Sequence, residues 1–399
     1  MSRGLTRRKY LGATASFPAA GLLGAQPVKA ATAEDLLRDL GVRPIINGAG
    51  AYTFTTGTLL RPEAVAAIQA LSTKYVRLDE LHDAVGVRIA KLLGAEAAMV
   101  TSGAAAALTI GTAAILTGTD PDRIHRIPDL RGMKTEVIVQ KRHRFPYDHM
   151  VRNCGVRLVE VETREELVRA IGPETAMLLF LNKADLAGQI KMKEFIEIGR
   201  ARKIPTFNDC AADVPPVEHL LDPIRLGFDL VCVSGGKGIR GPQSAGILAG
   251  RADLIAAARL NTAPHSDTIG RSCKVSKEEM VGMLVALEAF LREDQAAVYR
   301  EWEGRVRTMQ RILAEVSGVR CTPFTPRIAN QTPHLRVEWD SEKSGLDNRR
   351  AMQLLREGSP SIELVPSPRA GLEIATAMLQ PGEAETVARR IVEILTRRA

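Results

Sequence analysis

Long apolar runs are missing from this chain of 399 residues. The one mild apolar stretch, near the N-terminus, is too short and too rich in Gly and Ala to span a bilayer as a stable anchor, so no membrane anchor is expected. Cysteine is sparse as well. The five cysteines, Cys154, Cys210, Cys232, Cys273 and Cys321, form no C-x-x-C pair, so neither a zinc site nor a disulfide framework is signalled and no metal is expected. Most of them read as small core residues. Acidic residues are absent before Glu34, whereas Arg3, Arg7, Arg8, Lys9 and Lys29 all lie there, so the formal net charge of +8 falls to +3 without that segment. A charge this small gives no argument for a nucleic-acid partner. The chain also lacks internal repeats and low-complexity tracts.

What the N-terminus does contain is "MSRGLTRRKYLGATASFPAAGLLGAQPVKAATA". A basic start, a mild apolar stretch and small residues before a cut after Ala30 or Ala33 are the parts of an export signal, with a disordered basic arm as the bland alternative. The Arg7-Arg8 pair in "TRRKYL" resembles a twin-arginine signal. Residues 1–33 are therefore expected to engage the twin-arginine export machinery and to deliver a periplasmic or secreted protein. Cargo on that route travels folded, often with a cofactor bound, so scarce disulfides do not conflict with export.

An arm over 34–60 is expected next, rich in Gly and Thr and ending where Pro62 can start a helix. From 61 to 275, helical patterns such as "PEAVAAIQALSTKYV" and "LHDAVGVRIAKLLG" alternate with short runs such as "AAMVTS", "EVIVQK", "AMLLFLN", "IPTFND" and "LVCVS". Those runs are β-branched or wholly apolar, which implies a mainly parallel sheet covered on both faces and an α/β fold class. A smaller C-terminal domain is expected over 276–399, opening on a helix capped by Ser276 and carrying Met280, Leu284, Leu287 and Leu291 on one face.

The segment "LVCVSGGKGIRGPQSAGILAG" places Gly236, Gly238 and Gly241 in G-x-G-x-x-G spacing. A dinucleotide loop needs a helix after the glycines, but here Pro242 follows and "SAGILAG" reads as another short strand. A Walker loop needs a glycine where Val231 stands and a hydroxyl residue where Gly238 stands. The remaining reading is a lysine, Lys237, held at a strand end and used covalently. Asp209, in "KIPTFNDCAADVPP", lies 28 residues earlier at the end of the preceding strand. Both then open on one edge of the sheet, the edge where open α/β sheets bind ligands. Taken alone, Asp209 reads equally as a cap or turn residue. In "VTSGAAAALTIG", Ser102-Gly103 turns a strand into a helix start that either holds a phosphate on its free N–H groups or simply packs tightly.

An anion cradle, a carboxylate and a lysine amine are the set that pyridoxal 5'-phosphate requires. A carboxylate about 4 Å from the pyridinium contributes roughly 4 kcal/mol at an effective dielectric of ~20, about 3 pKa units toward the protonated ring. The lysine amine condenses reversibly with the aldehyde and, once displaced by substrate, remains beside the α-carbon as a base.

The blocks "LDELHDAVGVRIAKLLGAEAAMVTSGAAAAL", "RIPDLRGMKTEVIVQKRHRFPYDH", "NDCAADVPP" and "SGGKGIRGPQSAGILAG" together resemble the fold-type I pyridoxal-phosphate enzymes. Within them the likeness is to the selenocysteine synthase-like group, above all its D-glucosaminate-6-phosphate ammonia-lyase-type members, and it runs from about Val42 into "LQPGEAETVA". The resemblance implies Lys237 as the Schiff-base lysine and Asp209 as partner of the pyridine nitrogen. It further implies Ser102, Gly103, Ala104 and Ser234 around the phosphate, Asn182 facing the phenolic oxygen, and His143 stacked on the ring, although His143 taken alone reads as a surface or core histidine. Arg240, the nearest fixed cation, meets a substrate anion or else forms a structural salt bridge. Two departures stand out. The position after Gly103-Ala104 carries no hydroxyl for the phosphate, and "EIATAM" replaces a more polar, arginine-containing stretch in the domain that helps choose the substrate.

The expected function is α,β-elimination of an amino acid or amino-sugar acid to a keto acid and ammonia by a homo-oligomer. Racemisation or transamination on the same fold is the alternative, as is an inactive exported binding protein. An exported enzyme would not meet a tRNA, which speaks against tRNA selenation.

Overall fold

The computed structural model describes residues 32–367 and 370–396; the signal segment expected over 1–33 lies almost wholly outside them. Among the described residues, 32–44 belong to a unit of their own. It holds the short helix Ala33–Asp39, capped by Thr32, whose side chain accepts from the Asp35 N–H while the Asp35 carboxylate accepts from the Thr32 N–H.

In the second unit the chain starts with strand β1 (Ile45–Gly48) and then builds a seven-stranded sheet from β2 (Ala97–Thr101), β3 (Glu136–Gln140), β4 (Arg157–Val161), β5 (Thr175–Leu181), β6 (Thr206–Asp209), β7 (Leu230–Ser234) and β8 (Gly246–Gly250). Their order is β2-β8-β7-β6-β5-β3-β4. Every pair from β7 to β4 is parallel, and β8 runs antiparallel to both β7 and β2. The fold is thus α/β, as the alternation of helices and apolar runs implies, with "SAGILAG" as the one reversed strand.

All seven residues of β5 are buried, because helices cover both faces. Leu178 and Phe180 enter one apolar layer with Ile89 and Phe195, while Met177 and Leu179 enter the opposite layer with Leu108 and Phe207. The helix Leu78–Leu93 lies so close to β2 that a Cβ on Gly86 would come within 2.3 Å of the Ala98 carbonyl oxygen. Pro62 opens the helix Pro62–Ser72, and Ser276 and Glu279 cap the helix Lys277–Arg292 reciprocally.

The C-terminal part has its own core, in which Val306, Met309, Leu335, Ile374 and Ile391 are buried together with Ile46. Its sheet pairs β9 (Arg320–Phe324), β10 (His334–Glu338) and β12 (Leu372–Ala375) antiparallel. Strand β11 (Ser361–Leu364) pairs in parallel with β1. Part of the irregular arm expected over 34–60 is therefore a regular strand beside the C-terminal sheet, an assignment that "IING" is too short to reveal through alternation.

Gly86→Ala should destabilise the protein by about 1–3 kcal/mol, the usual cost of overpacking. It should appear as a lower urea midpoint with an unchanged slope.

Candidate active site

The sheet register gathers the candidate groups on one edge. Thr101 and Ser234 both lie opposite Gly246, and Asp209 lies between Leu181 and Cys232. Ser102, Ser234, Asp209 and Asn182 thus stand at the carboxyl ends of parallel strands.

Ser102 precedes the helix Gly103–Thr117 without capping it by its side chain, which leaves the first helical N–H groups open to an anion. Gly103 has φ +78°, in the left-handed region. A Cβ on Gly246 would come within 2.6 Å of the Gly103 carbonyl carbon and 2.8 Å of the Ala104 nitrogen, so β8 passes directly behind this helix start. Half-buried Ser234 ends the neighbouring strand.

Asp209 is 4% exposed. Its Oδ1 accepts from the Ala211 N–H at 2.8 Å and from the Cys232 thiol at 3.7 Å. Its Oδ2 has no hydrogen-bond partner among the described residues. Burial pushes this carboxyl above the ordinary range, while the Ala211 N–H and the charges of Lys237 and Lys183 pull it down.

Lys237 sits in the glycine loop after β7, its carbonyl accepting from Arg240 N at 2.8 Å and from Thr58 Oγ1 at 3.2 Å. A Cβ on Gly236 would meet Gln243 Cα at 2.5 Å, and one on Gly238 would meet the Val214 oxygen at 2.4 Å, so the loop is clamped from both sides. Burial holds the Lys237 amine below its ordinary pKa against the pull of Asp209. An open carboxylate oxygen, a desolvated lysine on the same edge and an uncapped helix start fit pyridoxal phosphate.

Asn182 follows β5 and accepts from Asn208 Nδ2 at 3.2 Å. His143 behaves differently. It is wholly buried, its Nδ1 accepts from the Leu181 N–H, and it meets Phe180 edge-on with centroids 4.5 Å apart. Burial lowers its pKa to about 4. The ring therefore offers no open face for stacking, and none of its described contacts is with Asp209 or Lys237; the fold uses it as a neutral interior group. Arg240 adopts φ +60° and donates from Nε to the Leu59 carbonyl at 3.1 Å. It makes no ion pair among the described residues. Its neighbour Arg61 takes the structural bridge instead, bidentate to Glu293 at 2.8 and 3.1 Å.

Arg240, Arg61, Arg305 and Glu293 share a cavity of about 380 Å³ with His334 and Met378. Gly238, Val214 and Pro215 form part of its wall, so it opens beside the lysine loop, although Lys237 itself does not line it. Arg305 donates to the carbonyls of Thr376 and Ala377 at 2.9 and 3.3 Å. An arginine thus does reach the "EIATAM" stretch, from a helix some seventy residues earlier, and the sequence reading missed it. It also missed Asp213, which is 3% exposed and whose Oδ2 has no partner among the described residues. The visible signal was its place in "NDCAADVPP", four residues after Asp209.

This architecture and this edge define a fold-type I pyridoxal-phosphate enzyme. The sequence profile of L-seryl-tRNA selenium transferase matches residues 74–302, and the chain belongs to that family. It is similar to D-glucosaminate-6-phosphate ammonia lyase of Salmonella typhimurium, with 28% identity over 82% of this chain and 88% of the relative. It is similar also to a 5'-C-glycyluridine monooxygenase-decarboxylase of a Streptomyces species, 29% identical over 89% of this chain and 91% of that one. Among solved structures, that of D-glucosaminate-6-phosphate ammonia-lyase superposes with a TM-score of 0.79 at 25% identity, covering 91% of this chain and 99% of the other. A serine palmitoyltransferase of Sphingomonas wittichii shares the fold, with a TM-score of 0.54 at 13% identity over 88% and 87% of the two chains.

The Asp213 carboxyl is pushed up to about 6, by burial first and then by Asp209, against the pull of His219, Asn182 and Lys183. The folded protein therefore binds this proton more tightly than the unfolded chain. Its stability contribution is full at low pH and is lost as pH rises from the ordinary carboxylate range through about 6, by about 3 kcal/mol in all. Urea midpoints of the cofactor-free protein at pH 5 and pH 8 should differ less for Asp213→Asn than for wild type, with the variant the more stable at pH 8.

Proposed function

We propose that this chain is an exported, homo-oligomeric lyase that removes the amine of an amino acid or amino-sugar acid by α,β-elimination, giving a keto acid and ammonia. The observation that carries this reading is Asp209, with Oδ1 held inside the protein and Oδ2 open, on the same sheet edge as the desolvated amine of Lys237. Bound there, pyridoxal phosphate supplies an aldehyde for a lysine amine and a ring that, when protonated, draws electrons from the substrate α-carbon.

The residues of the chain do the rest. Ser102, Gly103, Ala104 and Ser234 hold the phosphate at the helix start, mostly through backbone N–H groups. Asp209 would partner the ring nitrogen and favour its protonated form, and Asn182 would lie on the phenolic side. Lys237, its amine held below the ordinary pKa by burial, takes the α-proton at Nζ. Arg240, without a carboxylate of its own, meets an anionic group of the substrate. The similarity to the ammonia lyase of Salmonella typhimurium supports elimination over racemisation or transamination.

Incubation with β-hydroxylated amino acids and amino-sugar acids should release ammonia without a keto-acid acceptor. Release that depends on an acceptor would indicate transamination, and turnover with the amine retained would indicate racemisation. Lys237→Ala should abolish both turnover and borohydride fixation of the cofactor. Asp209→Asn should keep the cofactor but lose around a thousandfold in rate, the kinetic equivalent of about 4 kcal/mol.

Export rests on "TRRKYL" and the small residues before Glu34. Replacing Arg7 and Arg8 by Lys should strand the full-length protein in the cytoplasm. Unchanged periplasmic recovery would show that the arm is not a twin-arginine signal.

A further inference from the structure

We propose that His143 is a positioning residue of the cofactor site, which acts by hydrogen bonds on the turn that carries Asn182 and not as a ring stacked on the cofactor. This role rests on the reading of the Lys237–Asp209 edge as the cofactor site, and goes beyond it by giving the histidine a different task from the one the family resemblance implies.

The ring nitrogens show where the histidine is engaged. His143 closes the short turn Lys141–His143 after β3, whose parallel neighbour is β5. From there its Nδ1 accepts from the Leu181 N–H at 3.2 Å. Leu181 is the last residue of β5, stands opposite Asp209 in the sheet register and directly precedes Asn182. In a neutral imidazole one nitrogen accepts and the other carries the proton. Nε2 is therefore the donor, and the Ala184 carbonyl favours the proton there. The ring thus engages the backbone on both sides of Asn182 in the turn Asn182–Ala184.

The surroundings close the ring off from any other task. A Cβ on Gly188 would come within 2.5 Å of His143 Nε2 and 2.9 Å of both Gln140 amide atoms, so the chain leaving the turn returns directly over the imidazole. Gln140 fastens that return: its Oε1 accepts from the Ile190 N–H and its Nε2 donates to the Ile190 carbonyl, each at 2.9 Å. On the apolar side Phe180, packed on Phe195 and Phe228, meets the ring edge-on. His143 is wholly buried, and burial keeps it neutral down to about pH 4, so one hydrogen-bond pattern holds across the ordinary range.

Asn182 is fixed a second time through its side chain. Its Oδ1 accepts from Asn208 Nδ2 at 3.2 Å, which leaves donation to its amide nitrogen. A group that has to meet one ligand atom performs only when the residues behind it lock both its backbone and its rotamer. Asn208 does the second of these and His143 the first.

The test is a double-mutant cycle read as the dissociation constant of pyridoxal phosphate, obtained by equilibrium dialysis of the holoenzyme. His143→Phe keeps a ring without hydrogen bonds and should bind the cofactor about tenfold more weakly. His143→Asn loses the ring but keeps an acceptor for the Leu181 N–H, and should bind within about threefold of wild type. Asn182→Ala should weaken binding by itself, and His143→Phe should add nothing further to it. If His143→Phe does not fold, His143→Met takes its place in the cycle. Wild-type binding by His143→Phe, weaker binding by His143→Asn than by His143→Phe, or a loss from His143→Phe that persists in the Asn182→Ala background overturns the proposal. Peptide mapping after borohydride treatment of wild type separates the two levels: fixation at a residue other than Lys237 overturns the site reading itself.

Discussion

Burying the Asp209 carboxylate at the end of an inner strand sets the terms for everything around it. A buried charge is costly unless hydrogen bonds and opposite charges compensate it. Here one oxygen takes the Ala211 N–H and the Cys232 thiol, while Lys237 and Lys183 supply the opposite charge. The lysine in turn can stay there only because its loop is clamped between Gln243 and Val214 through glycines. The carboxylate, the lysine and the loop therefore form one unit, and the covered sheet beneath them keeps it dry.

The electrostatic division of labour in the adjoining cavity follows the same logic. Arg61 and Glu293 neutralise each other and tie the segment before the first long helix to the end of the helix Lys277–Arg292. Arg305 uses its guanidinium on main-chain carbonyls and Glu301. Arg240 is left as the cation with hydrogen-bonding capacity toward the cavity, its pKa lowered by burial and by Arg61. Arg240 alone of these three arginines lacks a carboxylate partner among the described residues, and on that difference its proposed role toward an anionic group rests.

The sheet and the lysine loop were legible in the sequence because both are local. Apolar runs such as "AMLLFLN" cannot be half-exposed strands, and glycines on either side of Lys237 followed by Pro242 exclude a helix. Asp209 was legible through its strand-end position. Asp213 was not, because a loop aspartate ordinarily reads as a turn residue and only the burial of its unpaired oxygen sets it apart. The link from Arg305 to Thr376 and the pairing of β1 with β11 join segments too distant in sequence for local pattern to connect them. His143 illustrates the reverse case: its motif suggested a ring at the site, whereas a backbone N–H and a phenylalanine edge hold it inside.

The pairing of β1 with β11 joins residues roughly 300 positions apart. The C-terminal sheet region is thus assembled from both ends of the described chain, and the larger α/β layer is inserted between them. During synthesis Ile45–Gly48 emerges early and has to wait for Ser361–Leu364, while the parallel sheet can form in the interval. Closing so long a loop costs little more entropy once the intervening layer is compact and brings its two ends together. The β1–β11 pair therefore acts as a latch that closes only once the chain extends through Leu364, so a product truncated before Ser361 would expose the unpaired edge of β1 to proteases and chaperones.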